Sequence, residues 1–213
     1  MKNKNDCKIF LIDDDPEIRE SISLLLSSLG YNIESFPDVK NLLKNNDYNG
    51  AGCILLDIFL GGKTGLELQE EIETKFDRLP IIFITGFGNI SITVEALKKG
   101  AINFLEKPID EKKLIEAVEE AFEKSSALVT KHAEIDKIKF LINSLTAREY
   151  EIFRYVISGM LNKQIAAELG IAEHTVKNHR LNITDKLDVK SVADMIYMAE
   201  KLSIKPSTKT NSQ

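Results

Sequence analysis

From residue 8 to about residue 124, short apolar runs alternate with amphipathic stretches. The runs are KIFLI (8–12), NIESF (32–36), CILLD (53–57), PIIFIT (80–85) and NFLEK (103–107). Several are nearly continuous in apolar residues, as strands of a parallel sheet are when both faces are covered. The intervening stretches carry helical spacing. Pro16 to Leu29 places apolar residues at 18, 22, 25, 26 and 29, and Gly30 stops it. Thr64–Phe76, Ile90–Lys99 (stopped by Gly100) and the stretch from Asp110 onward fill the other gaps. Five βα repeats in about 115 residues predict a doubly wound α/β domain, whose functional site lies outside the carboxyl ends of its strands.

Beyond residue 123 the pattern changes. Residues 123–143 contain no Gly or Pro, and apolar positions 128, 135, 138, 141 and 142 fit a helix that continues the fifth one. From Leu145 the strand pattern is gone, and four helical segments follow at about 147–158, 161–169, 173–187 and 191–202. The expected organisation is a first domain over 1–124, a helical linker over 125–143, an all-α domain over 144–206 and a frayed tail over 207–213.

A chain of 213 residues accommodates two such modest domains. No run approaches the roughly 18 apolar residues of a membrane span, and the apolar run Ile9–Ile12 is too short for a signal peptide, so a cytoplasmic protein without a membrane partner is expected. The two cysteines, Cys7 and Cys53, lie far apart without metal-binding spacing; Cys53 reads as a small core residue. The net charge of −5 conceals an asymmetry. Residues 1–124 hold 15 Lys/Arg against 23 Asp/Glu, whereas residues 144–213 hold 10 against 8. An acidic part joined to a weakly basic one implies different partners for each, although so small a basic excess does not establish nucleic-acid binding.

The candidate chemistry sits at strand ends. The first strand ends in Asp13, Asp14 and Asp15, the third in Asp57, the fourth in Thr85 and the fifth in Lys107, followed by Pro108. Carboxylates crowded into one pocket repel each other unless a cation is present. A hard divalent ion with oxygen ligands, Mg2+ or Mn2+, removes that difficulty. A carboxylate, a metal, a hydroxyl and a lysine are also what phosphoryl transfer requires: a nucleophile, a neutralising ion, and donors to the phosphoryl oxygens. Asp15 before Pro16 reads instead as a helix N-cap.

In order and spacing these residues resemble the receiver domain of two-component response regulators. The resemblance implies a flavodoxin-like doubly wound fold phosphorylated on aspartate by a sensor histidine kinase. Asp57 resembles the phosphoacceptor, and Asp13 and Asp14 the acidic pair that holds magnesium. The backbone carbonyl of Phe59 corresponds to a further metal ligand, Thr85 to the switch hydroxyl, Lys107 to the lysine that contacts the phosphoryl group and Phe104 to the switch aromatic. Gly65, eight residues after Asp57, fits the pattern; Gly61 departs from it, standing where many receivers have proline. The resemblance also implies that Phe59 and Phe87 stand where receivers flank the phosphoryl group. Neither ring offers an acceptor to orient water, so a long-lived acyl phosphate is expected.

The stretch from Leu145 opens with a capping box, Thr146 to Glu149, and Gly159 ends that helix. NKQIAAEL follows, then a turn at Gly170 and a third helix from Glu173: a helix-turn-helix. On a helical wheel Val176, Ile183 and Leu187 share one side. His174, Lys177, Asn178, Leu181 and Asp185 lie opposite. Lys177 and Asn178 are suited to donate to base edges, and Leu181 to meet a thymine methyl. Lys163, Thr175, Arg180 and Lys186 are better placed for backbone phosphates, and His179 reads as a core residue. The motifs LTAREYEIF, NKQIAAELGI and TVKNHRLNITDKL resemble the LuxR-type helix-turn-helix output domain of NarL/FixJ response regulators, most closely the FixJ branch. That resemblance implies a four-helix domain whose last helix, Ser191–Leu202 with its Val192, Met195, Ile196 and Ala199 stripe, supports dimerisation on DNA.

The joint expectation is a transcription regulator rather than an enzyme. Phosphorylation of Asp57 would promote a homodimer that binds an inverted-repeat operator in double-stranded DNA, with RNA polymerase as a further candidate partner. Two alternatives stand beside it. A receiver acting as a phosphate-independent interaction module is opposed by the intact acceptor, metal and switch residues. A phosphohydrolase is opposed because Asp13-x-Asp15, which resembles the haloacid-dehalogenase signature, has Glu17 where that motif wants Thr or Val, and because the later acidic pair near the sheet that it needs is not found.

Overall fold

The computed structural model describes residues 7–45, 47–60, 63–86 and 101–207. The expected helix Ile90–Lys99, Gly61 and Phe87 lie outside these described residues. Two compact units divide the chain, Met1–Thr130 and Lys131–Gln213.

In the first unit, β1 (Cys7–Ile12), β2 (Asn32–Phe36), β3 (Ala51–Asp57), β6 (Ile81–Thr85) and β7 (Asn103–Glu106) form one parallel sheet in the order β2-β1-β3-β6-β7. This is the flavodoxin-like order expected of five βα repeats. Two-residue strands β4 (Phe59–Leu60) and β5 (Lys63–Thr64) pair antiparallel just after β3. Around the sheet are α1 (Pro16–Ser28), α2 (Val39–Asn45), α3 (Gly65–Lys75) and the first part of α4 (Glu111–Asn143).

Alternation along the strands explains their unbroken apolar sequence. Phe10, Ile12, Ile54, Leu56 and Phe83 face one side, where they pack with Leu42 of α2 and Ile72 of α3. Ile9, Leu11, Cys53, Leu55, Ile82 and Ile84 face the other, against Ile22 and Leu26 of α1 and Leu114, Val118 and Ala121 of α4. Both faces are covered, so neither can be polar. Cys53 is a fully buried core thiol, as expected, and burial pushes its pKa far upward. At the opposite end of the strands from the site, buried Ser125 of α4 donates to the Arg78 carbonyl (2.5 Å) and accepts from the Gly52 N–H (2.9 Å).

The second unit contains the remainder of α4 with α5 (Ala147–Ile157), α6 (Asn162–Leu169), α7 (Glu173–Leu187) and α8 (Val192–Lys201). Thr146 and Glu149 form the expected capping box: the Thr146 N–H donates to Glu149 Oε2 at 2.8 Å, and the Glu149 N–H to Thr146 Oγ1 at 3.3 Å. Gly170 supplies the left-handed turn (φ 63°) between α6 and α7. Ile138 and Ile142 of α4 are buried in this unit's core, with Phe153, Ile165, Val176, Ile183, Leu187 and Met195. The stretch read as a linker, 125–143, thus supplies core residues to each unit: Ser125 to the first, Ile138 and Ile142 to the second. At the same helix Glu134 accepts from the Tyr197 hydroxyl at 2.5 Å, and Lys201 lies 3.5 Å from its second oxygen.

Candidate functional site

Four strand ends build the first site. Asp13 and Asp14 lie just past β1, Asp57 ends β3, Thr85 ends β6 and Lys107 follows β7. Chain order reverses between β1 and β3, so Asp13 and Asp57 open onto the topological switch point, where a crevice forms. Asp13 and Thr85 are fully buried, Asp57 nearly so, and Asp14 is exposed. One carboxylate oxygen from each of Asp13, Asp14 and Asp57 falls within 4.8 Å of the others.

Lys107 bridges two of these acids, its Nζ donating at 2.8 Å to Asp13 Oδ2 and at 2.8 Å to Asp57 Oδ2. The Phe59 N–H donates to Asp57 Oδ1 at 3.2 Å, and the Asp15 N–H to Asp13 Oδ1 at 2.9 Å. Asp15 itself caps α1, accepting from the Glu17 N–H at 2.9 Å with Pro16 in the first turn. Gly65 is required by close approach, because a Cβ there would lie 2.7 Å from the Asp57 carbonyl oxygen.

The electrostatics follow from this crowding. Burial raises the pKa of Asp13, and the hydrogen bond and charge of Lys107 do not fully offset it, with Asp57 adding repulsion. Burial opposes the charge on Lys107, but hydrogen bonds to Asp13 and Asp57 outweigh it and hold its pKa above the ordinary value. One lysine shared between two buried acids leaves negative charge undercompensated. An all-oxygen donor set in that state fits a hard divalent cation such as Mg2+. Phe59 is 46% exposed at the mouth of the site, and Phe104 is half-buried against the α2–α3 side of the core.

The helix-turn-helix presents its own surface. Val176, Ile183 and Leu187 of α7 are buried, while His174, Lys177, Asn178 and Asp185 are exposed and Leu181 is 62% exposed. Lys163 is exposed at the start of α6, and Thr175 and His179 are half-buried. Leu161 precedes α6 without a side-chain cap, although Gln164 Oε1 accepts its N–H at 2.9 Å. Arg180 is tied to the same end, Nη1 donating to Asn162 Oδ1 at 2.8 Å. Lys186, expected to meet a backbone phosphate, is exposed and already has a partner within the domain. Its Nζ lies 2.6 Å from Oε2 of buried Glu149, an ion pair that joins α7 to α5 and occupies the cation. Sequence reasoning also leaves unremarked Arg19, whose Nη1 donates to the Asp13 carbonyl at 2.7 Å, and Asn162. The capping box named Glu149 as an acid at a helix start, but nothing local revealed a partner 37 residues away.

Comparison with known proteins agrees with this geometry. Residues 9–119 match the response regulator receiver domain, and residues 143–199 the bacterial regulatory proteins of the luxR family. The chain is 37% identical to Nodulation protein W of Bradyrhizobium diazoefficiens over 92% of its own length and 86% of that protein. Among solved structures it resembles the response regulator StyR (TM-score 0.79, 41% identity, 92% of this chain and 99% of that one). Full-length FixJ from B. japonicum matches with TM-score 0.54 and 30% identity over 94% and 98% of the two chains. The chain belongs to the NarL/FixJ family of two-component response regulators: a receiver joined to a LuxR-type DNA-binding domain, hence a regulator of transcription. Relatives such as FixJ are transcriptional regulatory proteins, and receiver domains generally bind Mg2+ through an acidic pocket. Among the described residues no helix is long and apolar enough to cross a membrane.

Proposed function

We propose that a histidine kinase phosphorylates Asp57, and that the phosphorylated chain dimerises and binds an inverted-repeat operator. The observation that carries this reading is the Lys107 bridge, which holds Asp57 and Asp13 at 2.8 Å each on one ammonium. An Asp57 carboxylate oxygen attacks phosphorus as the bond from phosphorus to the kinase imidazole breaks, so a P–O bond replaces a P–N bond. Asp13, Asp14, Asp57 and the Phe59 carbonyl would hold Mg2+, which when bound neutralises charge on the phosphoryl oxygens. Thr85 then donates its hydroxyl and Lys107 its ammonium to those oxygens, and both side chains shift toward the new group. Phe104, half-buried beside the core, turns inward as Thr85 moves. Phe59 presents no acceptor that would orient water, which favours a long-lived acyl phosphate.

In the output domain Lys177, Asn178 and Leu181 read base edges, with His174 beside them on the exposed face of α7. Lys163, Thr175 and Arg180 meet backbone phosphates, and the uncapped start of α6 adds main-chain N–H groups. Two α7 helices about one DNA turn apart require an inverted repeat. Gel-shift titration with and without a phosphoryl donor tests the reading. Tighter binding of the phosphorylated chain supports it; equal affinity in the two states rejects phosphorylation as the switch.

A further inference from the structure

Arg19 occupies a costly position. It lies in the first turns of α1, four residues after the cap, its N–H bonded to the Asp15 carbonyl at 3.1 Å. A cation there opposes the helix dipole, whose positive end is the N-terminus. It also sits beside the acids that would bind a divalent cation, and like charges repel. The side chain nevertheless reaches back over the helix start, as helical side chains do. Half-buried, it donates from Nη1 to the Asp13 carbonyl at 2.7 Å.

The value of that bond lies in what else holds the two acids. The Asp13 side chain has ties of its own, to the Asp15 N–H and to Lys107, and its main-chain N–H donates to the Phe36 carbonyl at 3.3 Å. Asp14 is exposed, and the peptide plane that joins it to Asp13 sets the direction in which its side chain leaves the backbone. The carbonyl of that peptide is the one Arg19 grips. We propose that Arg19 is a positioning residue that fixes the Asp13–Asp14 peptide and so aims Asp14 at the metal site. The proposal rests on the reading of this pocket as a Mg2+ site.

Positioning and bare charge predict opposite signs. If Arg19 acts only as a nearby positive charge, its removal tightens cation binding; if it holds the peptide, removal weakens it. Calorimetric Mg2+ titration of the full chain, with Mn2+ counted by electron paramagnetic resonance as a second readout, separates the two. Arg19→Ala is expected to bind Mg2+ about tenfold more weakly, the lower end of what loss of an outer support costs a metal site. Arg19→Lys keeps a charge and a donor in a different geometry and is expected to lose about threefold. Unchanged or tighter binding by Arg19→Ala overturns the proposal. Should Arg19→Ala lose its metal-free melting transition, Arg19→Lys decides: weaker binding supports the proposal, wild-type or tighter binding overturns it. A wild-type chain that binds no Mg2+ removes the metal reading itself before any Arg19 variant is compared, and binding unchanged by Asp14→Asn overturns the proposal, because Asp14 is then no ligand.

Discussion

Each unit of the molecule buries a carboxylate against a lysine, and the two pairs behave oppositely. In the receiver, burial raises the pKa of Asp13, because Lys107 divides itself between Asp13 and Asp57. In the output domain, the hydrogen bond from Lys186 lowers the pKa of Glu149 despite burial, helped by the Thr146 N–H. One acid with one lysine and a main-chain donor is a settled pair that fastens α7 to α5. Two acids with one lysine are not settled, and in the proposed function that shortfall is what a metal ion fills. A buried ion pair is therefore a functional site where it is left undercompensated and a structural one where it is completed.

The comparison is broken most severely at Lys107. Lys107→Ala removes the only cation paired with the side-chain carboxylates of Asp13 and Asp57 among the described residues, and the rate of phosphorylation by a small phosphodonor should fall about a hundredfold. Stopped-flow measurement with acetyl phosphate checks this, and a rate within a few-fold of wild type would detach Lys107 from the chemistry. Comparable in size is a change that leaves every charge in place. Ile138→Ala empties part of the core that α4 shares with α5 and α8, and should cost the output domain about 3 kcal/mol in denaturant unfolding. An undiminished transition would show that this segment is a linker only.

Glu149→Gln sharpens the contrast, with an expected loss of about 2 kcal/mol at neutral pH. The folded pKa of Glu149 is depressed, so its stabilisation is complete above the ordinary value of 4.5 and is lost as pH falls through the folded value. Melting curves of wild type and variant should therefore differ at pH 7, begin to approach each other below pH 4.5 and converge only below the depressed folded value. A gap that persists in acid contradicts the pairing. A smaller effect is expected at the exposed end of α6. Lys163→Ala should weaken binding about tenfold on every DNA sequence and reduce the salt slope by about 1, as loss of one phosphate contact does. Sequence-dependent loss would mean that Lys163 reads bases. The smallest change is at Phe59→Asn, where a polar group able to orient water should shorten the acyl-phosphate lifetime a few-fold (~3) in a radiolabel chase. An unaltered lifetime removes the role assigned to Phe59.

Much of this arrangement was legible in the residues because it is local. NIESF is β2 residue for residue, and Glu173–Leu187 is α7 as read from its apolar spacing. The acids, Thr85 and Lys107 fall at strand ends, where the parallel order brings separate segments together without knowledge of any contact. What escaped is short or distant. Helix α2 has seven residues, too few for a period to show, although Asp38 accepting from the Asn41 N–H at 2.8 Å is a start signal that could have found it. The β4–β5 pair has two residues on each side and no alternation to read. The Lys186 and Arg19 bonds depend on where folded elements meet, which composition and spacing do not encode. Thus Lys186 read as a cation placed for a backbone phosphate, while its bond to Glu149 could not be read from the sequence.

The central claim is tested most directly by intact-protein and peptide mass spectrometry after incubation with acetyl phosphate and Mg2+. The account predicts a single added phosphoryl group, located on Asp57, absent from Asp57→Asn and absent when the metal is chelated. A wild-type chain that stays unmodified with Mg2+ present, or carries the group on another residue, contradicts it.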